Sequence, residues 1–296
     1  MIDVSTCIVC GGERRRLLYP STFDGSVWDD AIPYFLTNRE KAVHGDIVQC
    51  ADCGFVYTSP QFEAAEYARI YANISISDQG TNDRSLALRY ENLARLVNGY
   101  CPEGRFLDLG CGNGGFLNAM PSHDGVGFEI RQDGLGVTVQ DRIVIGDFLG
   151  YARQRNAEAL PRFDFVTAWD VLEHIPDLDA HMSGVADIVA PDGYFFVTLP
   201  DIGSLSARIF RGRWNCVLLE HLWYFSLGTF EKYAHRFGFN VVDSCSFPYP
   251  CDIQTLANRV SQTWGLPRLP LPALLGRQVI KLGVGLMGVV LKKRAV

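Results

Sequence analysis

From residue 105 onward the chain alternates short apolar runs with stretches of helical periodicity. The runs are "RFLDLG", "GVGFEI", "RIVIGD", "FDFVTAWD" and "GYFFVTLP", each ending in or against a polar residue, a glycine or a proline that stops it. Strands alternating with helices predict parallel βαβ units and hence an α/β fold built on a doubly wound sheet. Two later runs, "FNVVDSCSF" and "GVVLKK", read as further strands. Upstream, "RSLALRYENLARLVNGY" places apolar residues at Leu86, Tyr90, Leu93 and Leu96–Val97, the spacing of an amphipathic helix. The expected organisation is a small module over residues 1–60, a helical linker or cap over 61–100, and one large domain over 101–296.

Composition narrows the function classes. The 296 residues are 48% hydrophobic and 20% charged, ordinary for a chain that buries a sizeable core. The formal net charge is −6, which argues against nucleic acid as the main partner, because phosphate binding needs a basic face. The N-terminal "MIDVSTCIVCGGERRR" has no apolar h-region, and no apolar run reaches the length of a transmembrane helix. The nine cysteines are therefore expected to be reduced in a cytoplasmic protein, and clustered ones to hold a metal rather than disulfides.

The first apolar run opens into "FLDLGCGNGGFL", with Gly110, Gly112, Gly114 and Gly115 between a strand and a helix. Glycines there let the backbone approach a ligand closely. Asp108, two residues before the first glycine, decides which ligand. A carboxylate at that strand end repels a pyrophosphate and attracts a cation. Glu129 ends the next strand, Asp147 follows the third and Asp170 the fourth. Acids at the carboxyl ends of successive strands line the crevice where open α/β sheets bind ligands. Such a ring suits a cofactor carrying an ammonium and a sulfonium, and disfavours NAD.

Taken in order, "FLDLGCGNGGFL", "VGFEI", "GDF", "FDFVTAWDVLEHIPD" and "APDGYFFVTLP" resemble the successive motifs of class I S-adenosylmethionine-dependent methyltransferases, over roughly residues 84–245. The resemblance implies a Rossmann-like sheet of seven mostly parallel strands whose last strand runs antiparallel. It implies that Asp108 lies near the methionine amino group and that the backbone of Gly110, Gly112 and Gly114 passes under the cofactor. Glu129 would hold the ribose, while Ile130, Asp147, Phe148 and Asp170 complete the cofactor site, with Asp147 and Phe148 bordering the adenine.

Cys7-x-x-Cys10 and Cys50-x-x-Cys53 are each followed by glycine, in "CIVCGG" and "CADCGF", with 39 residues between the pairs. Two such knuckles present four thiolates to a tetrahedral Zn²⁺ and leave no open coordination position, so the expected zinc is structural. An N-terminal zinc module before this core resembles two groups: bacterial methyltransferases of sugars and other small metabolites, and ribosomal-RNA methyltransferases. The acidic charge favours the first.

A hydroxyl acceptor must lose a proton during transfer, and histidine is the usual base near neutral pH. His174 in "DVLEHIPD" and His221 in "LLEHLWYFS" fall where the resemblance places the acceptor, and His221 is the stronger candidate base. Trp214, Trp223, Tyr224 and Phe225 either face an acceptor ring or enter the core with Ser226 capping the next helix. The apolar, proline-punctuated stretch at about 252–285 is expected to be a helical insert packed on the core or on a second subunit; an interfacial helix touching a membrane is the other reading. The function expected is methyl transfer to a small-molecule acceptor, a hydroxyl of a sugar or related metabolite, by a monomer or homodimer. The alternatives are an RNA methyltransferase and a non-catalytic S-adenosylmethionine-binding protein.

Overall fold

The computed structural model describes the chain apart from residues 26–30, 32–34, 36–42, 73–82, 131–136, 265, 268–269, 284 and 296. In chain order the strands and helices are β1 (Arg15–Tyr19), β2 (Ile47–Cys50), β3 (Val56–Thr58), α1 (Ala64–Ala72), α2 (Asp83–Asn98), β4 (Arg105–Leu109), α3 (Gly115–Ala119), β5 (Asp124–Glu129), β6 (Ile143–Ile145), α4 (Phe148–Ala157), β7 (Phe163–Trp169), α5 (Leu178–Ile188), β8 (Val189–Pro200), α6 (Leu205–Phe210), β9 (Trp223–Tyr224), α7 (Leu227–His235), β10 (Phe239–Ser246), β11 (Tyr249–Asp252), α8 (Ile253–Trp264), α9 (Ala273–Gly276), β12 (Val279–Leu282) and β13 (Leu286–Lys293).

Seven strands form the main sheet in the order β10-β13-β8-β7-β4-β5-β6. The pairs among β8, β7, β4, β5 and β6 are parallel, and β13 runs antiparallel to both of its neighbours. Each run expected to be a strand of this sheet is one. The two-residue period of a strand sorts its side chains between two cores. Phe106, Phe165 and Phe196 point to one face, where Phe106 and Phe165 stack 4.9 Å apart. Leu107, Val166 and Phe195 point to the other. Asp108, Thr167 and Thr198 continue the first set by the same period, and Asp108 pairs in register with Thr167. A carboxylate therefore enters the sheet at its carboxyl edge with a hydroxyl beside it.

The strands of the cysteine-bearing segment pair with the large domain. The sheet β1-β2-β3 is completed by β9, whose Tyr224 and Trp223 pair with Val56 and Tyr57. Phe55 packs on Phe225 at 4.7 Å and on Trp223 at 6.3 Å, so an aromatic layer seals the junction.

The insert departs from the helical expectation. Among the described residues there only α8 and the single turn α9 are helical, and β12 pairs antiparallel with β11. Pro267, Pro270 and Pro272 interrupt the helix, and "VIKL" is an apolar, β-branched run that closes a two-stranded ribbon. No helix among the described residues is long and apolar enough to cross a membrane.

Candidate active site

The loop after β4 climbs over the end of β5. Gly110 and Cys111 donate their amides to the Phe128 carbonyl, at 2.8 and 3.1 Å. Gly110, Gly112 and Gly114 have φ of 70°, 54° and 74°, a left-handed region that side chains with a Cβ seldom adopt. A Cβ at Gly110 would lie 2.6 Å from Val171, and one at Gly114 would lie 2.3 Å from Val139. Gly112 differs: among the described residues a Cβ there meets nothing within 4 Å, so its bare backbone is uncovered by them at the carboxyl edge. Cys111, within this loop, is a small buried residue.

Asp108 is buried beneath the loop, and the Thr167 hydroxyl donates to its Oδ1 at 2.6 Å. Burial pushes this carboxyl up to about 7; the Thr167 hydrogen bond opposes that rise and the nearby Glu129 charge adds to it. Glu129 is also buried. It accepts the Gly112 amide at 2.9 Å and the Ile130 amide at 2.9 Å, which ties the glycine loop to the end of β5. Ile130 is 56% exposed, an apolar surface beside that carboxylate.

Asp147 accepts the amides of Leu149 and Gly150 and caps the N-terminus of α4, with its side chain 68% exposed. Phe148 is buried, edge-on to Phe128 and stacked on His181. Asp170 is not an open member of an acidic ring. Its Oδ2 accepts from Arg89 of α2 at 2.5 Å and its Oδ1 from Thr198 at 2.5 Å, while its backbone sits at φ 54°. The Arg89 guanidinium also lies 5.0 Å over the Tyr249 ring of β11. Arg89 escaped the sequence reading because a single cation on an amphipathic helix looks like its solvated face. Its neighbours Ser85 and Leu93, each one turn away and fully buried, mark the inward stripe it shares.

His174 and His221 do come together. Their rings meet edge to face with centroids 4.7 Å apart. The Nδ1 of His174 bonds the Glu220 carbonyl at 3.0 Å, and the Nδ1 of His221 bonds the Cys216 carbonyl at 2.8 Å. A carbonyl only accepts, so each Nδ1 carries a proton and each Nε2 is the basic nitrogen. Glu173 is buried beside them, and its Oε2 meets no hydrogen-bond partner among the described residues. Burial, and then the charge of Asp170, hold its carboxyl well above the usual carboxylate range. Glu173, His174 and His221 offer donor atoms within 4.8 Å of one another, a set able to pass a proton or to hold a cation. Trp214, Trp223, Tyr224 and Phe225 are all buried, so they build the core rather than an acceptor platform. Ser226 caps α7 in a capping box with Thr229.

The two cysteine knuckles adopt the same turn. In each, the amide after the second cysteine returns to the carbonyl of the first: Gly11 to Cys7 at 2.8 Å and Gly54 to Cys50 at 3.0 Å. Both glycines have left-handed φ. Cys7 and Cys53 sulfurs lie 3.6 Å apart, as do those of Cys10 and Cys50. A disulfide needs ~2.05 Å. A tetrahedron of Zn–S bonds of ~2.3 Å has edges of about 3.8 Å; the two 3.6 Å pairs approach that length, and all four sulfurs lie within 4.8 Å of one another.

A family model described as a methyltransferase domain matches residues 82–244. Among curated relatives, the C-methyltransferase NovU of Streptomyces niveus is 37% identical over 70 residues, 24% of this chain and 16% of that protein. A ubiquinone biosynthesis O-methyltransferase of Vibrio cholerae is 35% identical over 120 residues, 38% of this chain and 48% of that protein. The matched stretches thus span less than half of these relatives. Among solved structures, a putative methyltransferase of Bacillus halodurans is 14% identical with a TM-score of 0.47, covering 70% of this chain and 99% of that one. The 1,6-didemethyltoxoflavin-N1-methyltransferase of Burkholderia thailandensis is 15% identical with a TM-score of 0.46, covering 82% and 97%.

Proposed function

The chain belongs to the methyltransferase-domain family, whose members use S-adenosylmethionine, and from that premise we propose that it transfers the methyl group to a hydroxyl of a small polar acceptor such as a sugar. The observation that carries the acceptor reading is the pair of histidines, with basic Nε2 atoms, beyond the strand ends that hold the cofactor residues. His221 acts as the base and His174 borders the acceptor. In the cofactor site, Asp108 receives the methionine ammonium and Glu129 the ribose hydroxyls. The Gly110–Gly114 backbone lies beneath the cofactor, with Gly112 leaving room for it. Ile130, with Asp147 and Phe148, borders the adenine. Asp170 serves by fixing Arg89 rather than as a bare anion.

Bound S-adenosylmethionine would supply the methyl group for an in-line displacement, in which an acceptor oxygen would bond the methyl carbon as the carbon–sulfonium bond breaks. Nε2 of His221 would take the hydroxyl proton. The protein's share is alignment, exclusion of water and acceptance of that proton. The test uses ¹³C-methyl cofactor with a panel of nucleotide sugars. The carbon shift of an O-methyl product supports the reading, and label on carbon or nitrogen removes it.

The cysteine module over residues 1–60 holds one structural zinc on Cys7, Cys10, Cys50 and Cys53. When bound, that zinc cross-links the two knuckles. Metal analysis of the purified chain is expected to find about one zinc per chain, lost in Cys50→Ser together with thermal stability. A second equivalent that survives Cys50→Ser and is lost in His174→Ala would place a cation on the Glu173, His174 and His221 set instead of a proton.

A further inference from the structure

The strand that leaves the second cysteine knuckle touches the proposed base. After Cys53 the chain turns at Gly54 and runs into β3, which ends at Thr58. Thr58 is buried, and its hydroxyl donates to the His221 carbonyl at 2.8 Å, across 163 residues of sequence. Its amide donates to the Leu222 carbonyl at 2.9 Å. From the opposite side, the Leu222 amide donates to the Glu173 carbonyl at 2.8 Å. The backbone at 221–222 is therefore clamped between the knuckle strand and the turn that carries Glu173 and His174. The Cys216 carbonyl then sets the rotation of the His221 ring.

We propose that Thr58 is a positioning residue for His221, so that the cysteine module forms part of the acceptor-site wall rather than a separate docking unit. This inference rests on the reading of His221 as base. The hydroxyl matters because the His221 carbonyl at that point is buried; without the donor it seeks another partner and carries the ring with it. A shift of about 1 Å in a catalytic group can cost about a hundredfold in rate. The aromatic layer of Phe55, Trp223 and Phe225 does not involve the hydroxyl and keeps the module docked when it is removed.

The test is a double-mutant cycle with Thr58→Val, Thr58→Ser and His221→Gln on the full chain. Thr58→Val is expected to lower kcat about tenfold, with unchanged cofactor affinity and zinc content, and Thr58→Ser to restore it. In the His221→Gln background, Thr58→Val is expected to change kcat no further. Three results overturn the inference. If Thr58→Val is harmless while His221→Gln is not, the positioning role fails alone. If Thr58→Val lowers kcat equally in both backgrounds, Thr58 acts on something other than His221. If His221→Gln keeps the full rate, the base assignment itself has failed.

Discussion

Asp108→Asn is expected to lower the affinity for S-adenosylmethionine roughly 10- to 100-fold, read by calorimetric titration of the full chain. A hydrogen bond to a charged partner contributes about 1.5–3 kcal/mol, and each 1.4 kcal/mol is a factor of ten. The asparagine keeps the shape of the side chain and an acceptor oxygen for the Thr167 hydroxyl, so the loss isolates charge. The wild-type carboxyl titrates at about 7, because burial disfavours its charge. Cofactor binding must remove that proton, so wild-type affinity is expected to rise between pH 6 and about 7.5, then flatten as the cofactor's α-amino group, pKa ~7.7–8.0, begins to lose its own. The asparagine variant is expected to show no rise over the first interval. Without cofactor the sign for stability is the reverse. The folded value lies above the ordinary one, so this group's contribution is full below pH ~4 and is lost as pH climbs through about 7. Cofactor-free Asp108→Asn is accordingly expected to melt no lower than the wild type at pH 8. Unchanged cofactor affinity in the variant would remove Asp108 from the ammonium site.

His221→Gln is expected to lower kcat by roughly 10²–10⁴, the usual contribution of a general base. Cofactor affinity is expected not to change, because the proposed function gives His221 to the acceptor and Asp108 and Glu129 to the cofactor. Glutamine can still donate to the Cys216 carbonyl, so the local fold is kept while the basic Nε2 is lost. His174→Gln is expected to have the smaller effect, acting on the acceptor's KM. A variant at His221 with wild-type kcat would leave the reaction to an acceptor that needs no base.

The main sheet was legible in the sequence because each strand was an apolar run ending in a stop, and parallel strands covered on both faces must read that way. The left-handed glycine loop and the carboxylate beneath it were legible because backbone freedom and a strand-end acid can be read from residue type and spacing. What escaped was non-local. Nothing in "LWYF" announces that two of its residues finish a sheet begun by the cysteine module. The ion pair between Arg89 and Asp170 joins residues 81 apart, and it turns one of four expected anions into a neutralised pair. "VIKL" lay in a stretch read as helical, and only pairing with "YPCD" makes it a strand. The aromatic residues after His221 carried two readings, and their burial decides for the core.

The most direct test of methyl transfer to a small polar acceptor uses S-adenosylmethionine labelled on its methyl group, added with the purified protein to a fractionated cell extract. Label appearing in small polar metabolites, and absent when His221→Gln replaces the wild type, is the predicted result. Label confined to RNA would contradict it and make the cysteine module a docking device after all.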